Sequence, residues 1–401
     1  MATPIRHLRL FKLVVVILTL LTAAYTFVFA RLPSSANAPD SSTVKGVRGK
    51  LNGLGLSPSS LPLQHNLAAA PAYPVRLYKR KKHKNDDDTD NEPGDETASG
   101  NSDSNASTDA VTQFRASDPT LLISRTFDPN NAPQRLIFIG DIHGSVDQFN
   151  NLLDAVNFRQ GSDQVILVGD LVAKGPDSIG VIRKAQSINA WATRGNHDDR
   201  VIRWREFLDG PGVNLTTSDI QGLEDNGELP YSDFKLSALH YEIARSLSPD
   251  DLAYIKSFSV VMTLPEPYME WVVVHGGLDP SKPILKQDSD NCMNMRNIDS
   301  SGPVSTHKDG QAWFDVYAAK METLTQPASP SSIGSEDFSQ INFNKVVYGH
   351  DAGRGLQIHE YTKGLDSRCV YGGNLTAFIL PGEKLVSVPC PDYDGSVKDD
   401  K

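Results

Sequence analysis

Four apolar residues, 136–139 (Leu-Ile-Phe-Ile), run without interruption into Gly140-Asp141-Ile142-His143-Gly144. A strand that alternates apolar and polar residues can leave one face in water. A run with no polar residue has to be covered on both faces, as in a parallel α/β sheet. The carboxyl end of such a strand is where open α/β sheets place their chemistry. While the chain stays extended, Asp141 and His143 project to the same side, because side chains alternate with period two. A carboxylate and an imidazole together suit a divalent metal, and the flanking glycines permit a tight turn.

The pattern recurs along the chain. Residues 164–168 lead into Gly169-Asp170, and 190–193 lead through Arg194 into Gly195-Asn196-His197-Asp198. Residues 271–274 lead into His275-Gly276-Gly277, and 346–348 into Gly349-His350-Asp351. One such strand end is unremarkable; a series of them in order is not chance. The residues divide into two ligand groups. Asp141, His143 and Asp170 make one metal site, and Asp170 bridges to a second completed by Asn196, His275 and His350. Mixed nitrogen and oxygen ligation favours Zn, Mn, Fe or Co over Ca or Mg, with zinc the first expectation. Two such ions about 3.5–4 Å apart suit in-line displacement at phosphorus, with a hydroxide between them as nucleophile. His197 directly follows Asn196 and is placed to protonate the leaving oxygen. Asp198 either orients that imidazole or caps the helix that follows.

Between the motifs the periodicity changes. Phe149, Leu152, Leu153 and Val156 sit at helical spacing, as do Leu236, Leu239, His240, Ile243 and Leu247. Residues 178–187 read as a helix, 198–260 as mainly helical, and 369–371 with 376–380 as a terminal hairpin. Strands alternating with helices, followed mostly by strands, predict an α/β sandwich of two sheets over residues 118–390. Residues 391–401 read as a polar, disordered tail. His65, His240, His307 and His359 have no strand-end context and are taken as non-ligands. Trp313 and Phe314 are assigned to the core.

The net charge of −10 argues against general nucleic-acid binding. It leaves room for an anionic substrate, because bound cations invert the local field. Residues 13–30 are 18 positions without a charge, preceded by Arg6, Arg9 and Lys12. That is long enough to span a membrane, and the basic side should stay cytoplasmic. The expectation is a cytoplasmic tail (1–12), a signal-anchor helix (13–30) and a lumenal domain of a single-pass type II protein; the alternative is secretion after cleavage. Residues 31–117 are rich in Ser, Pro, Asn, Ala and Gly and read as a disordered linker. The basic cluster from Lys79 to Lys84 within it is part of that linker, or binds anionic lipid or polyanion, or is a processing site. Of the three cysteines, Cys369 is expected as a core thiol, and a Cys292–Cys390 pair is open in an oxidising lumen. Asn105, Asn214 and Asn374 begin glycosylation sequons, of which Asn214 is the most loop-like and Asn374 the least accessible.

The motif series 140–144, 169–172, 195–198, 275–277 and 349–350 resembles that of the calcineurin-like metallophosphoesterases, in their phosphoprotein-phosphatase branch. The resemblance covers residues 135–382. It implies a four-layer α-β-β-α sandwich of two mixed sheets and a binuclear centre on the same six ligands, with His197 as the acid. There are departures. Where protein serine/threonine phosphatases carry Asp-Arg after the second motif, this chain has Ala173-Lys174. An aspartate expected beside the acid histidine is thus missing, and a lysine replaces a phosphate-gripping arginine, a point charge in place of a bidentate fork. Lys174 and Asp198, with the stretches 346–355 and 364–373, are similar to the symmetrical diadenosine tetraphosphatase subgroup. With the anchor added, the whole resembles the fungal vacuolar endopolyphosphatases within it.

These features predict a hydrolase of phosphoanhydride bonds, with internal bonds of inorganic polyphosphate in a vacuole lumen as the leading substrate. Lys174, Arg296 and Arg354 are the expected phosphate-binding residues. Dinucleoside polyphosphate hydrolysis is the alternative, then protein phosphatase activity. A membrane-tethered adaptor without catalysis is the reading from another class, and the intact ligand set counts against it. No specific nucleic-acid partner is expected.

Overall fold

The computed structural model describes residues 110–325 and 345–393. The predicted anchor, the basic cluster, Asn105 and most of the predicted linker lie outside them. Among the described residues, no helix is long and apolar enough to cross a membrane.

In chain order the elements are β1 (Leu122–Ser124), β2 (Arg135–Ile139), α1 (Val146–Ala155), β3 (Asp163–Leu167), α2 (Ser178–Ser187) and β4 (Trp191–Ala192). Then come α3 (Asn196–Asp209), α4 (Thr217–Asp225), α5 (Leu239–Ser246), α6 (Pro249–Lys256), β5 (Val261–Thr263) and β6 (Trp271–Val274). After α7 (Ser289–Asn294) follow β7 (Asn297–Asp299), β8 (Gly302–Val304), β9 (Gln311–Ala312) and α8 (Trp313–Thr325). The chain closes with β10 (Lys345–Tyr348), β11 (Gln357–Ile358), β12 (Thr362–Gly364), β13 (Asn374–Leu380) and β14 (Lys384–Pro389).

Two mixed sheets form, in the orders β14-β13-β2-β3-β4 and β1-β5-β6-β10-β12-β11, with a small β8-β7-β9 sheet beside them. Strand alternation makes the layers. Leu136, Phe138, Ile166 and Val168 of the first sheet meet Met262, Trp271, Val273 and Val347 of the second in one buried cluster. Their neighbours Ile137, Ile139, Val165 and Leu167 point the other way, onto Phe149, Leu152, Val181 and Val201 of α1–α3. Val272, Val274, Val346 and Tyr348 likewise face Trp313, Phe314 and Tyr317 of α8. Helices, sheet, sheet and helices therefore stack in four layers, and the apolar runs are buried on both faces as their composition requires.

This arrangement positions the site. β2, β3 and β4 are mutually parallel, so the glycine-led turns after them emerge at one edge. β6 and β10 are parallel in the second sheet, with Val272 opposite Val346, so His275 and His350 emerge together. The turns are then tied to one another. Asp170 O accepts from the amides of Ile142 and His143, and His275 O accepts from Gly349 N at 2.9 Å.

Four expectations change. The terminal hairpin pairs β13 with β14, with Leu375 opposite Val388, while residues 369–371 form a turn. β14 is an edge strand with several exposed residues and ends in Pro389, so its apolar signal is weak. Cys369 is not a thiol: it is disulfide-bonded to Cys390, and Cys292 is free and buried. Residues 110–117, assigned by sequence to the linker, pack on the domain. Val111 is buried, Phe114 meets Phe207 edge-on, and Ser117 N donates to Glu206 Oε2. Asn214 and Asn374 are both exposed, Asn374 at the open start of β13.

Phe138 is fully buried between the sheets. Its replacement by alanine should lower stability by about 3–5 kcal/mol, read as a shift of the urea midpoint at unchanged slope.

Candidate metal centre

Asp170 is the hub. It follows Gly169 at the end of β3 with φ of 51°, in the left-handed region. Its Oδ2 lies 3.3 Å from His275 Nε2, 3.6 Å from His143 Nε2 and 4.0 Å from His197 Nε2, and its Oδ1 accepts from His197 N. Potential ligand atoms of His143, Asp170 and His197 lie within 4.8 Å of one another, as do those of Asp170, His275 and His350. Asn196 Oδ1 is 3.2 Å from His275 Nε2. Asp141 accepts from the His350 amide at 3.0 Å through one carboxylate oxygen. His143, Asp170, Asn196, His275 and His350 come together from separate turns, with Asp141 held against the His350 amide, while His197, expected as the acid, stands in the first cluster where Asp141 was expected. His143, Ala173, Lys174 and His350 also have positive φ; such non-glycine conformations are costly and concentrate at functional sites.

The glycines are needed because motif packs on motif. A Cβ at Gly195 would strike Asp170 Oδ1, and one at Gly349 would strike Asp141 Oδ1. At Gly169 it would come within 2.6 Å of His275 Nδ1.

The donor set fits divalent cations. Each of three imidazoles is anchored through one nitrogen to a backbone carbonyl 2.9 Å away: His143 Nδ1 to Val172 O, His275 Nδ1 to Val168 O, and His350 Nε2 to Asn294 O. That fixes ring orientation and leaves the other nitrogen for a metal, the outer-sphere arrangement that metal-binding histidines use. Asp170 would be shared between the ions, with His143 on one side, His275 and His350 on the other, and Asn196 and Asp141 beside them.

The charges explain the titration directions. Burial opposes ionisation of Asp170, but the imidazoles, His275 first, pull its carboxyl well below the usual range. Burial would push the His275 imidazole down, yet Asp170 outweighs it and lifts it to about 9. Burial lowers His143 to about 4, helped by Lys174. Burial and then the neighbouring Asp366 raise Asp141.

Other expected residues are placed differently. Asp198 does not orient His197: its fully buried carboxylate accepts from Leu171 N and Gly195 N, bracing two motif turns at the start of α3. The capping alternative therefore describes it, because two backbone amides claim both oxygens. His197 Nδ1 is instead 2.8 Å from His240 Nε2. Lys174 Nζ donates to the Tyr371 hydroxyl at 2.9 Å; burial opposes its charge, but Tyr371 first, and then the charges of Asp170 and Asp366, raise its pKa. Arg354 commits its guanidinium to Asp351 Oδ2 and Asn297 Oδ1, both at 2.6 Å, so it braces the loop after β10 and is not free for substrate. Arg296 donates to Ser305 O, and its charge contributes to the low pKa of His350.

Sequence reasoning missed His240, Asp366 and Tyr371 as neighbours of the centre. His240 carried a signal: it is a polar residue in an otherwise apolar helical stripe. Asp366 and Tyr371 carried none beyond their place in the stretch 364–373.

A family model for the calcineurin-like phosphoesterases matches residues 134–354. The chain belongs to this family. The family's two-metal chemistry agrees with the two overlapping clusters around Asp170. A symmetrical bis(5'-nucleosyl)-tetraphosphatase of Janthinobacterium sp. is 26% identical over 268 residues, covering 64% of this chain and 96% of the relative. The zinc-dependent endopolyphosphatase of Saccharomyces cerevisiae is 26% identical over 282 residues, covering 63% and 80%. The crystal structure of a candidate diadenosine tetraphosphatase is 30% identical, with a TM-score of 0.49, and covers 68% of this chain and 99% of its own.

Because His275 is raised to about 9, the metal-free protein holds a proton there at pH 7. The sign follows: His275 favours the metal-free fold most below its unfolded value of about 6.5, and this is lost as pH rises through 9. Metal binding at pH 7 should therefore release at least one proton, and affinity should rise as pH approaches 9. Titration calorimetry in buffers of differing ionisation enthalpy measures the release.

Proposed function

We propose that this chain hydrolyses phosphoanhydride bonds, with internal bonds of linear polyphosphate as the favoured substrate. The observation that carries the reading is Lys174. Its ammonium is held by Tyr371 beside Asp170 and Asp366, where a second phosphate of a chain bound at the centre can reach it. The similarity to a tetraphosphatase and to an endopolyphosphatase supports the same bond type.

Asp141, His143, Asp170, Asn196, His275 and His350 would hold divalent cations, which when bound would supply Lewis acidity at phosphorus and lower the pKa of water. The chain's own residues do the rest. The anchored imidazoles keep the ligand geometry, and Asp198 holds the turns of the second and third motifs together. Lys174 neutralises charge on the neighbouring phosphate, and Arg296, whose charge is felt at His350, is a second cation for it. His197, partly exposed, donates from Nε2 toward the leaving oxygen. Zinc is the expected metal, with Mn, Co and Fe compatible. Dinucleoside tetraphosphate is the second reading, favoured by the tetraphosphatases among the relatives.

We further propose a location outside the cytosol, with residues 13–30 as the anchor and a vacuole-like lumen as the compartment. The Cys369–Cys390 bond supports this, because disulfides persist in oxidising compartments. Thiol labelling of the denatured, unreduced protein should find one free cysteine, Cys292; three would sink this part of the reading.

The function is tested with zinc-loaded protein on polyphosphate, diadenosine tetraphosphate and a phosphopeptide side by side. Shortened polyphosphate on a gel is the expected result, and unchanged chain length removes the reading. Lys174→Met should lower kcat/KM on polyphosphate about 10–100-fold, the scale of one charged hydrogen bond, with metal content unchanged.

A further inference from the structure

His240 lies on α5, far in sequence from the metal motifs, and is 5% exposed. Its Nε2 is 2.8 Å from His197 Nδ1, and the two rings stack with centroids 5.0 Å apart at 17°. Its other nitrogen, Nδ1, is buried and has no hydrogen-bond partner among the described residues. Two ring nitrogens at this distance share one hydrogen, and a neutral imidazole carries one N–H and one lone pair.

Two arrangements are open. If His197 Nδ1 carries the shared hydrogen, the proton of His240 must sit on Nδ1, as a buried N–H without an acceptor. His197 Nε2 is then a bare lone pair facing Asp170. If His240 Nε2 carries it, only a lone pair of His240 is left unpaired, and the proton of His197 sits on Nε2. Buried N–H groups without acceptors are rarer in proteins than under-satisfied acceptors, which favours the second arrangement. Burial, aided by the charge of Arg200, holds His240 neutral at about 3, so the ring has a single proton to place.

We propose that His240 is a positioning residue: its Nε2–H donates to His197 Nδ1 and keeps the proton of His197 on Nε2, aimed at the centre. This rests on the reading of His197 as the donor to the leaving oxygen. It also deepens the substrate assignment. When an anhydride is cleaved, the oxygen of water forms the new bond to phosphorus and the bridging P–O bond breaks. The electron pair leaves with the departing phosphate, and the proton of water goes to solvent. A phosphate holds its last proton with a pKa of about 6, so it departs as an anion at neutral pH. A hydrogen bond from His197 is sufficient, and the imidazole keeps its proton throughout. An alkoxide leaving group would need a full proton, which a neutral imidazole supplies poorly. The pair therefore suits anhydrides over phosphoserine-type esters.

The test compares full-length, zinc-loaded wild type with His240→Gln, His240→Leu and His197→Ala. The amide of Gln can donate from the place of Nε2; Leu fills the volume without a donor. His240→Gln should keep kcat on polyphosphate within about threefold. His240→Leu should lose at least about tenfold in kcat, at unchanged KM and zinc content, a part of the roughly 10²–10⁴-fold that a positioned acid contributes. Nitrogen-15 spectra of histidine-labelled wild type should show His197 protonated at Nε2 and His240 bare at Nδ1. Equal activity of His240→Leu and wild type, or equal loss in the Gln and Leu variants, overturns the proposal. So does a wild-type spectrum with His197 protonated at Nδ1, and this readout stands even if a variant fails to fold. If wild type cleaves no anhydride, or His197→Ala retains full kcat, the functional reading falls instead, and the spectrum still decides the role of His240.

Discussion

A carboxylate buried among imidazoles is the constraint on which this domain turns. Asp170 lies where the carboxyl ends of two sheets meet, within 4.0 Å of three histidine rings. Isolated, such a carboxylate would be driven toward its neutral form by desolvation. Here the surrounding rings reverse that and keep it ionised. Neither the carboxylate nor the rings would be stable in that density without the others. The centre is therefore assembled by folding as a unit rather than added to a finished scaffold.

The sandwich supplies that density. Strands buried on both faces cannot carry polar residues along their length, so the chemistry collects at their ends. Parallel pairing then brings those ends to one edge. The turns there pack so closely that glycines at 169, 195 and 349 leave the space that a neighbouring ligand fills. Backbone carbonyls of Val168, Val172 and Asn294 orient three of the rings, so the fold itself acts as the outer sphere of the centre.

Much of this was readable before folding was considered. The run 271–274 coincides with β6, and the helix at 178–187 coincides with α2, because uninterrupted and 3.6-periodic apolar patterns leave few alternatives. The six expected ligands carry their signal locally, in a glycine beside a ligating residue at a strand end. Asp198 was harder. It is adjacent to His197 in sequence, but the first turn of a helix sends successive side chains about 100° apart, and two backbone amides claim its oxygens. Arg354 reads as a free cation until Asp351 and Asn297 are seen around it. The partner of Cys369 could not be chosen among three cysteines by spacing.

What the sequence determined by itself is the chemistry: which residues can ligate, which runs must be buried, and hence a two-sheet α/β fold with metal-binding residues at its strand ends. These follow from side-chain type and short-range period. Only the tertiary structure decided who stands beside whom across long separations. His240 against His197, Tyr371 against Lys174 and Cys369 against Cys390 are pairs fixed by the packing of separate elements. No local pattern encodes a contact whose two halves lie on different layers or turns.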